Sequence, residues 1–219
     1  MDKLTPPDPG VSATQKVVDA LRKMIVTGEI APGAKLKIED LKSTLETGAS
    51  PIREALSLLT SDQLVERLDQ RGFRAAPASR AHFEEILVLR CHLEGLALRR
   101  SLERAGRAWE ETVVLRHHDL SRTSRKDTEA FEARHKAFHM ALIAACEAPI
   151  LLSFCNKLYD LNIRYRYLAG RSISYGRRDI AREHADIMTA AVDRDVETAV
   201  SRLLHHYERT GSFLAEALD

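Results

Sequence analysis

The sequence predicts a mainly α-helical protein with an N-terminal winged helix-turn-helix and a C-terminal all-α antiparallel helical bundle. Charged residues make up 30% of the 219 residues and aromatic residues only 5%, a composition that suits helices better than a β-sandwich. Apolar residues recur at helical spacing along most of the chain. All nine histidines lie beyond residue 80, which indicates two parts with different tasks.

The first part, residues 12–78, follows a proline-rich stretch at residues 1–11 that is expected to be a loose tail. Ser12 and Gln15 match a capping box at the start of the first helix, which Gly28 ends. The other predicted elements are a turn at 31–36, a helix at 38–46, a third helix capped by Ser50, and strands at 64–68 and 73–77 joined by a hairpin turn at 69–72.

The start of the third helix is the candidate DNA-reading segment. Three helices followed by a β-hairpin form a winged helix-turn-helix, whose third helix enters the major groove with its N-terminal residues nearest the bases. Pro51 lies in the first turn, where its missing N–H costs nothing. Arg53 points outward, and its planar guanidinium can bind guanine or phosphate. The alternative is an ordinary surface arginine.

The second part, residues 79–219, is predicted to be helical almost throughout and to form a bundle of about six helices. The segment at 77–80 marks the boundary between the two parts. The predicted helices cover 82–105, 108–124, 127–147, 149–170, 177–193 and 195–217, with breaks at Gly170, Gly176 and Asp193.

Histidines of the second part form a candidate metal site. His135 and His139 are four residues apart, so they share a helix face and can bind one transition metal. His184, and either His205 or His206, lie on later helices that can converge on the same ion. The alternative is that these histidines are surface residues or satisfied core residues. The adjacent pair His117 and His118 cannot share a face and is expected to face solvent.

Arginines near these histidines are candidate contacts for an anion. Neutral imidazoles leave a divalent ion its full charge, which attracts an anionic ligand to an open coordination position. Arg90 lies mid-helix among apolar residues and needs a partner if it is buried. In the stretch 162–171, arginines with neighbouring tyrosines can clamp a carboxylate, or can form an exposed basic face. The candidate effector contacts are Arg90, Arg164, Tyr165 and Arg171.

Charge and cysteine content limit the function classes only weakly. The net charge is +1, and residues 1–78 contain equal numbers of basic and acidic residues, whereas DNA-binding domains are usually basic. Cys91, Cys146 and Cys155 form no CxxC pair and indicate buried thiols in a reducing cytoplasm. Neither a signal peptide nor an apolar run long enough to span a membrane is expected.

Six stretches of the sequence carry a resemblance to a known family, and this resemblance covers about residues 13–210. Two are N-terminal, LRKMIVTGEIAPGAKL and SPIREALSLLTSDQLVERLDQRGFRAAP, and four come later, VLRCHLEG, KAFHMALIAAC, EHADIMTAAVDRD and AVSRLLHHYE. The chain resembles the GntR superfamily of transcription regulators, in the FadR branch, whose helical ligand domain is called FCD. The resemblance implies a cytoplasmic homodimer that binds a pseudo-palindromic DNA operator and responds to a small organic acid. Residues 79–219 would then be the domain for effector binding and dimerisation.

The resemblance also implies a divalent transition metal, with zinc, nickel and manganese as options. FCD domains commonly hold it through an aspartate and three histidines, and the matching positions are His135, His139, His184 and His206. His135 therefore replaces the aspartate. This change raises the charge of the site by one unit and alters its metal preference, or else His135 does not bind the metal.

The DNA-reading segment departs from the family pattern as well. The family's Ser-Arg-Thr-Pro stretch is Gly48-Ala49-Ser50-Pro51 here, and the usual arginine of the second helix is Glu39. The operator should therefore differ from those of other members or be recognised more through its shape. The implied DNA contacts are Lys37, Ser50, Pro51, Arg53, Arg71 and Gly72.

Among family members, the patterns RHKAFH and RYRYLAGR resemble regulators of carbon-starvation and glutarate catabolism genes. This implies a small dicarboxylate effector and repression of a carboxylate catabolism operon.

The sequence also allows two functions from other classes. One is a metal-dependent enzyme on a helical bundle with an accessory domain, for which no motif marks a general base. The other is an interaction scaffold whose histidines are structural.

Overall fold

The computed structural model describes residues 12–69, 71–169 and 178–216. The chain divides into two compact units between Ala78 and Ser79, called the N-terminal and C-terminal units below. The predicted mainly α-helical class is confirmed. The expected tail at 1–11 and the predicted breaks at Gly170 and Gly176 lie outside the described residues.

The N-terminal unit contains helices and a small antiparallel sheet. β3 (Gly72–Ala75) is central in this sheet, with β1 (Lys35–Leu36) and β2 (Val65–Leu68) on either side of it. Residues 31–36, predicted as a turn, contribute the edge strand β1. Just before this strand, the amide of Gly33 donates to the carbonyl of Ala75 and the carbonyl of Ala34 accepts from the Ala75 amide, and the pairing continues between Lys35 and Arg74. The elements are α1 (Ala13–Val26), β1 (Lys35–Leu36), α2 (Ile38–Leu45), α3 (Ala49–Ser61), β2 (Val65–Leu68) and β3 (Gly72–Ala75).

The helix starts in this unit differ in part from the predicted caps. The hydroxyl of Ser12 accepts the amide of Gln15 at 3.1 Å, as a capping box requires. The Gln15 side chain bonds Asp19 instead of returning to Ser12. The predicted cap at Ser50 is wrong, because the extended backbone of Gly48 forms the N-cap and α3 begins two residues earlier than a cap at Ser50 would place it. Ser50 and Pro51 therefore both lie in the first turn.

Local signals define the helices of the C-terminal unit. Asp127 and Asp179 each cap a helix by accepting an amide three residues later, and Pro149 occupies the first turn of another. The predicted break at Asp193 is confirmed. The helices are α4 (Arg80–Arg104), α5 (Arg107–Arg122), α6 (Thr128–Ile143), α7 (Pro149–Leu168), α8 (Ile180–Val192) and α9 (Val196–Glu216), with a short 3₁₀ turn at Ala144–Cys146.

The packing of these helices brings distant segments of the chain together. α4 packs against α7 and α9, α5 packs against α6 and α8, and α8 packs against α9. Leu98, Phe138, Leu142 and Leu203 are fully buried in the shared apolar core. In the described part of the chain, each helix is too short or too polar to cross a bilayer.

Candidate functional site

Four histidines meet inside the C-terminal unit. His135 and His139 come from α6, His184 from α8 and His206 from α9, and each is at most 4% exposed. One ring nitrogen of each histidine lies within 4.8 Å of those of the other three. His205 is exposed, so His206 is the histidine of α9 that joins the others. These four residues are called the histidine cluster.

The cluster is neutral near pH 7. Burial first, and then the mutual repulsion of protonated rings, lower the pKa values of His135, His139 and His184 well below 6.5. Burial likewise lowers the pKa of His206, to about 4, although the hydrogen bond to Glu183 opposes the shift. Neutral imidazoles carry a free lone pair, which is the form that binds a metal ion.

The donor set fits a divalent transition metal. Nε2 of His139 faces Nε2 of His135 at 3.2 Å, so two nitrogens that can both carry lone pairs are held together. Nε2 of His184 is buried and has no hydrogen-bond partner among the described residues. A cation between these atoms would satisfy all of them, and imidazole suits zinc, nickel or copper better than magnesium or calcium.

In three of the four histidines, Nδ1 forms a hydrogen bond with a side chain outside the cluster. Each bond comes from a different part of the bundle, and it orients the ring toward the cluster. These bonds join His135 Nδ1 to Tyr159 at 2.5 Å, His139 Nδ1 to Tyr207 at 2.9 Å and His206 Nδ1 to Glu183 at 2.8 Å.

A small cavity adjoins one side of the cluster, and we call it the cluster cavity. Arg90, His135, Asn162, Arg166 and His206 are among the residues that line it. Arg90 is 4% exposed, and the partner that its burial requires is Glu94, whose Oε1 accepts from Nε at 2.5 Å. Nη2 of Arg90 is also buried and bonds nothing within the described ranges.

Other sequence-derived candidates for effector contacts lie elsewhere. Arg164 and Tyr165 are buried but do not line the cluster cavity, and the Tyr165 hydroxyl bonds Nδ1 of His82 at 2.9 Å. Arg171 lies outside the described residues. Arg166, another arginine of the stretch 162–171, does line the cluster cavity, and its Nη1 lies 3.3 Å from Nδ1 of His135.

A second cavity of about 80 Å³ adjoins His184 on the side of α5 and α6. His117 lines this cavity, and its ring centroid lies 5.5 Å from that of Phe138. The expectation that His117 faces solvent is therefore wrong, because the ring packs against the core. His118 is exposed, as expected.

The third helix of the N-terminal unit buries one face and exposes the other. Ile52, Leu56 and Leu59 are fully buried, whereas Arg53 is exposed. This is the arrangement that a recognition helix needs, with an anchored side and a free side. Of the other DNA-contact candidates, Lys37, Ser50, Arg71 and Gly72 are exposed and Pro51 is half-buried.

Comparison with known proteins identifies two domains. Residues 13–74 match the family described as bacterial regulatory proteins, gntR family, and residues 85–209 match the FCD domain. The chain is 35% identical over 212 residues to the HTH-type transcriptional regulator BphR of Paraburkholderia xenovorans, covering 94% of this chain and 86% of BphR. It is 31% identical over 194 residues to the HTH-type transcriptional repressor GlaR of Escherichia coli, covering 85% of this chain and 88% of GlaR.

The fold also matches a solved structure, E. coli McbR/YncC, with a TM-score of 0.83. The match covers 95% of this chain and 100% of that one at 21% identity, so it supports the fold alone. The matched families and relatives are regulators of transcription, so the alternative of a metal-dependent enzyme is wrong. The resemblance found in the sequence is confirmed: the chain belongs to the GntR family of ligand-responsive transcription regulators and carries an FCD domain.

Proposed function

We propose that this protein is a metal-dependent transcriptional repressor of a carboxylate catabolism operon, whose operator affinity changes when a small organic acid binds. The observation that carries the proposal is the convergence of four buried, neutral imidazoles beside the arginines of the cluster cavity. His135, His139, His184 and His206 would hold the metal. When bound, the metal supplies positive charge that attracts an anionic ligand.

Arg90 and Arg166 are the side chains that we assign to the carboxylate groups of the effector. A carboxylate oxygen would complete the hydrogen bonding of Nη2 of Arg90, whose burial without a partner is costly. Two arginines in one cavity favour an acid with two carboxylates. The cavity measures about 10 Å³, room for about one water, so an acid must displace the surrounding side chains or helices to enter. Such a displacement is a physical route from effector binding to a changed dimer.

DNA recognition is assigned to the start of α3 and to flanking residues of the N-terminal unit. The exposure of Arg53 above a fully buried apolar face supports this assignment. The residues proposed to contact DNA are Lys37, Ser50, Pro51, Arg53, Arg71 and Gly72.

A homodimer would use apolar side chains that the C-terminal unit leaves exposed. Val88, Leu89 and Leu96 on α4, with Ile150 and Phe154 on α7, are 43–76% exposed, and these two helices pack against each other. Exposed apolar patches of this kind support self-association. A two-fold dimer requires a pseudo-palindromic operator, and it would act in the cytoplasm with the bacterial chromosome.

A thermal-shift screen of small organic acids, with and without a chelator, tests the metal and the effector together. A true ligand raises Tm by mass action, and we expect the increase to require metal. His206→Ala should remove both the metal and the increase, whereas His205→Ala, its exposed neighbour, should keep both. An acid that stabilises chelated protein equally well would refute the role of the metal. Gel shifts with operator DNA that no stabilising acid alters would refute the regulatory role.

A further inference from the structure

The hydroxyl of Tyr207 connects Glu94 of α4 to His139 of α6. It lies 2.5 Å from Oε2 of Glu94 and 2.9 Å from Nδ1 of His139. All three residues are at most 3% exposed. Each bond must therefore be made by these groups themselves, because an unmade bond at this depth is costly.

The direction of the two bonds follows from the number of protons available. Glu94 forms an ion pair with Arg90, its Oε1 lying 2.5 Å from the guanidinium Nε, so its carboxylate can only accept hydrogen bonds. The Tyr207 hydroxyl has a single proton to donate, and it lies between this carboxylate and the ring of His139. That proton goes to Glu94. The Tyr207 oxygen can then only accept from His139, so Nδ1 of His139 carries a hydrogen.

A neutral imidazole with its proton on Nδ1 has its lone pair on Nε2, and this atom of His139 faces the cluster. We propose that Glu94 and Tyr207 are positioning residues that hold His139 in its Nδ1-protonated form, with the Nε2 lone pair directed at the metal position. The functional part of this inference rests on the proposed metal role of the cluster. In the metal-free protein, Nε2 of His139 must then accept the hydrogen bond across its 3.2 Å contact with His135, and Nε2 of His135 must donate it.

One isosteric substitution can reverse the direction of the hydrogen bonds that run from Glu94 through Tyr207 to His139. In Glu94→Gln, the new amide oxygen must face Arg90, because a guanidinium only donates. The amide NH₂ then faces Tyr207 and donates to its oxygen. The Tyr207 proton turns to Nδ1 of His139, which moves the imidazole proton to Nε2. The lone pair needed for metal binding is lost, although every hydrogen bond of the chain remains.

Histidine tautomers can be read directly from two-bond ¹H–¹⁵N correlation spectra of the metal-free protein. We expect His139 to be Nδ1-protonated in the wild type and Nε2-protonated in Glu94→Gln. In competition with a chelator, Glu94→Gln should bind Ni²⁺ with roughly 10- to 100-fold lower affinity than the wild type. Because Glu94→Gln leaves Arg90 without a countercharge and can fail to fold, Tyr207→Phe is the second variant. It keeps the Arg90–Glu94 pair, removes the acceptor for Nδ1 and should weaken Ni²⁺ binding by a similar factor.

Tyr165→Phe is the matched control, since it removes a tyrosine–histidine bond of the same kind at His82, outside the cluster. It should leave the His139 tautomer and Ni²⁺ affinity unchanged. The inference is overturned if folded Glu94→Gln or Tyr207→Phe keeps wild-type Ni²⁺ affinity, or if Tyr165→Phe loses as much. A wild type that binds no Ni²⁺ or Zn²⁺ would refute the proposed metal role. The spectra of the metal-free proteins would still support or overturn the tautomer assignment.

Discussion

Oε2 of Glu183 lies 2.8 Å from Nδ1 of His206 and so links the first turn of α8 to α9. The guanidinium of Arg178 bonds both oxygens of this carboxylate, with Nε 2.6 Å from Oε1. Burial raises the pKa of Glu183, but the hydrogen bonds from His206 and Arg178 outweigh it and lower the pKa to about 2. The carboxylate therefore stays charged and accepts from Nδ1, which leaves Nε2 of His206 for the cluster.

Glu183→Gln should weaken metal binding while preserving the fold. The amide removes the negative charge behind His206 and can present an N–H to Nδ1, so the ring loses both basicity and orientation. We expect roughly 10- to 100-fold lower affinity for Zn²⁺ or Ni²⁺ in a competition titration with a chromophoric chelator. Glu208→Gln removes the same charge from the exposed face of α9 and should not change the affinity. Equal affinities of the two variants would show that Glu183 does not orient His206.

His135→Asp should change which metal the cluster prefers. The present site offers four neutral nitrogens, and a carboxylate adds a hard oxygen ligand with a negative charge, which manganese favours. We expect the ratio of Ni²⁺ to Mn²⁺ affinity to fall by about tenfold, or ~1.4 kcal/mol, when both are measured by calorimetry. His118→Asp places the same carboxylate at an exposed position. If His118→Asp changes the ratio as much as His135→Asp does, bulk charge rather than coordination is responsible.

The helices were predictable because their signals are local. Asp179, for example, caps α8 within four residues of its own position, and the spacing of His135 and His139 already places them on one face. The strand β1 was not predictable, since two residues become a strand only by pairing with Arg74 and Phe73. The side chains that bond Nδ1 of the cluster histidines were not predicted either, because they too depend on contacts between distant segments.

Glu183 illustrates why such partners escape sequence reasoning. It is adjacent to His184 in sequence, yet it bonds His206 of another helix. Tyr207 likewise follows His206 directly, but its hydroxyl bonds His139. In each case the residue next to one histidine orients a different one, because neighbours on a helix point about 100° apart. Only the packing of α6, α8 and α9 determines these pairs.

The metal-free protein should lose stability as the pH falls below about 6.5. The folded cluster resists protonation, because burial lowers the pKa of each histidine below 6.5, whereas the unfolded chain binds protons near its ordinary value. Protons therefore favour the unfolded state, and each buried histidine costs up to ~1.4 kcal/mol per pH unit. Urea unfolding in chelator at pH 7.5 and 5.5 measures the loss.

Two variants separate the cluster from the other histidines in this pH dependence. His139→Gln removes one buried imidazole, so the fall in unfolding free energy between pH 7.5 and 5.5 should be smaller by about 1 kcal/mol. His118→Gln removes an exposed imidazole and should leave the fall unchanged. A pH dependence that His139→Gln does not reduce would contradict the assignment of the effect to the cluster.

Arg53→Ala should reduce specific DNA binding with little effect on stability, because the side chain is exposed while the face beneath it is fully buried. Loss of a bidentate contact to a base costs ~1–3 kcal/mol, which is roughly 5- to 150-fold in Kd. Fluorescence anisotropy on duplexes that the wild type selects from a random library measures the change. Arg107→Ala removes an arginine that is 90% exposed on α5 of the C-terminal unit and should keep wild-type affinity. If Arg53→Ala binds the selected duplexes as tightly as Arg107→Ala does, α3 does not read DNA through Arg53.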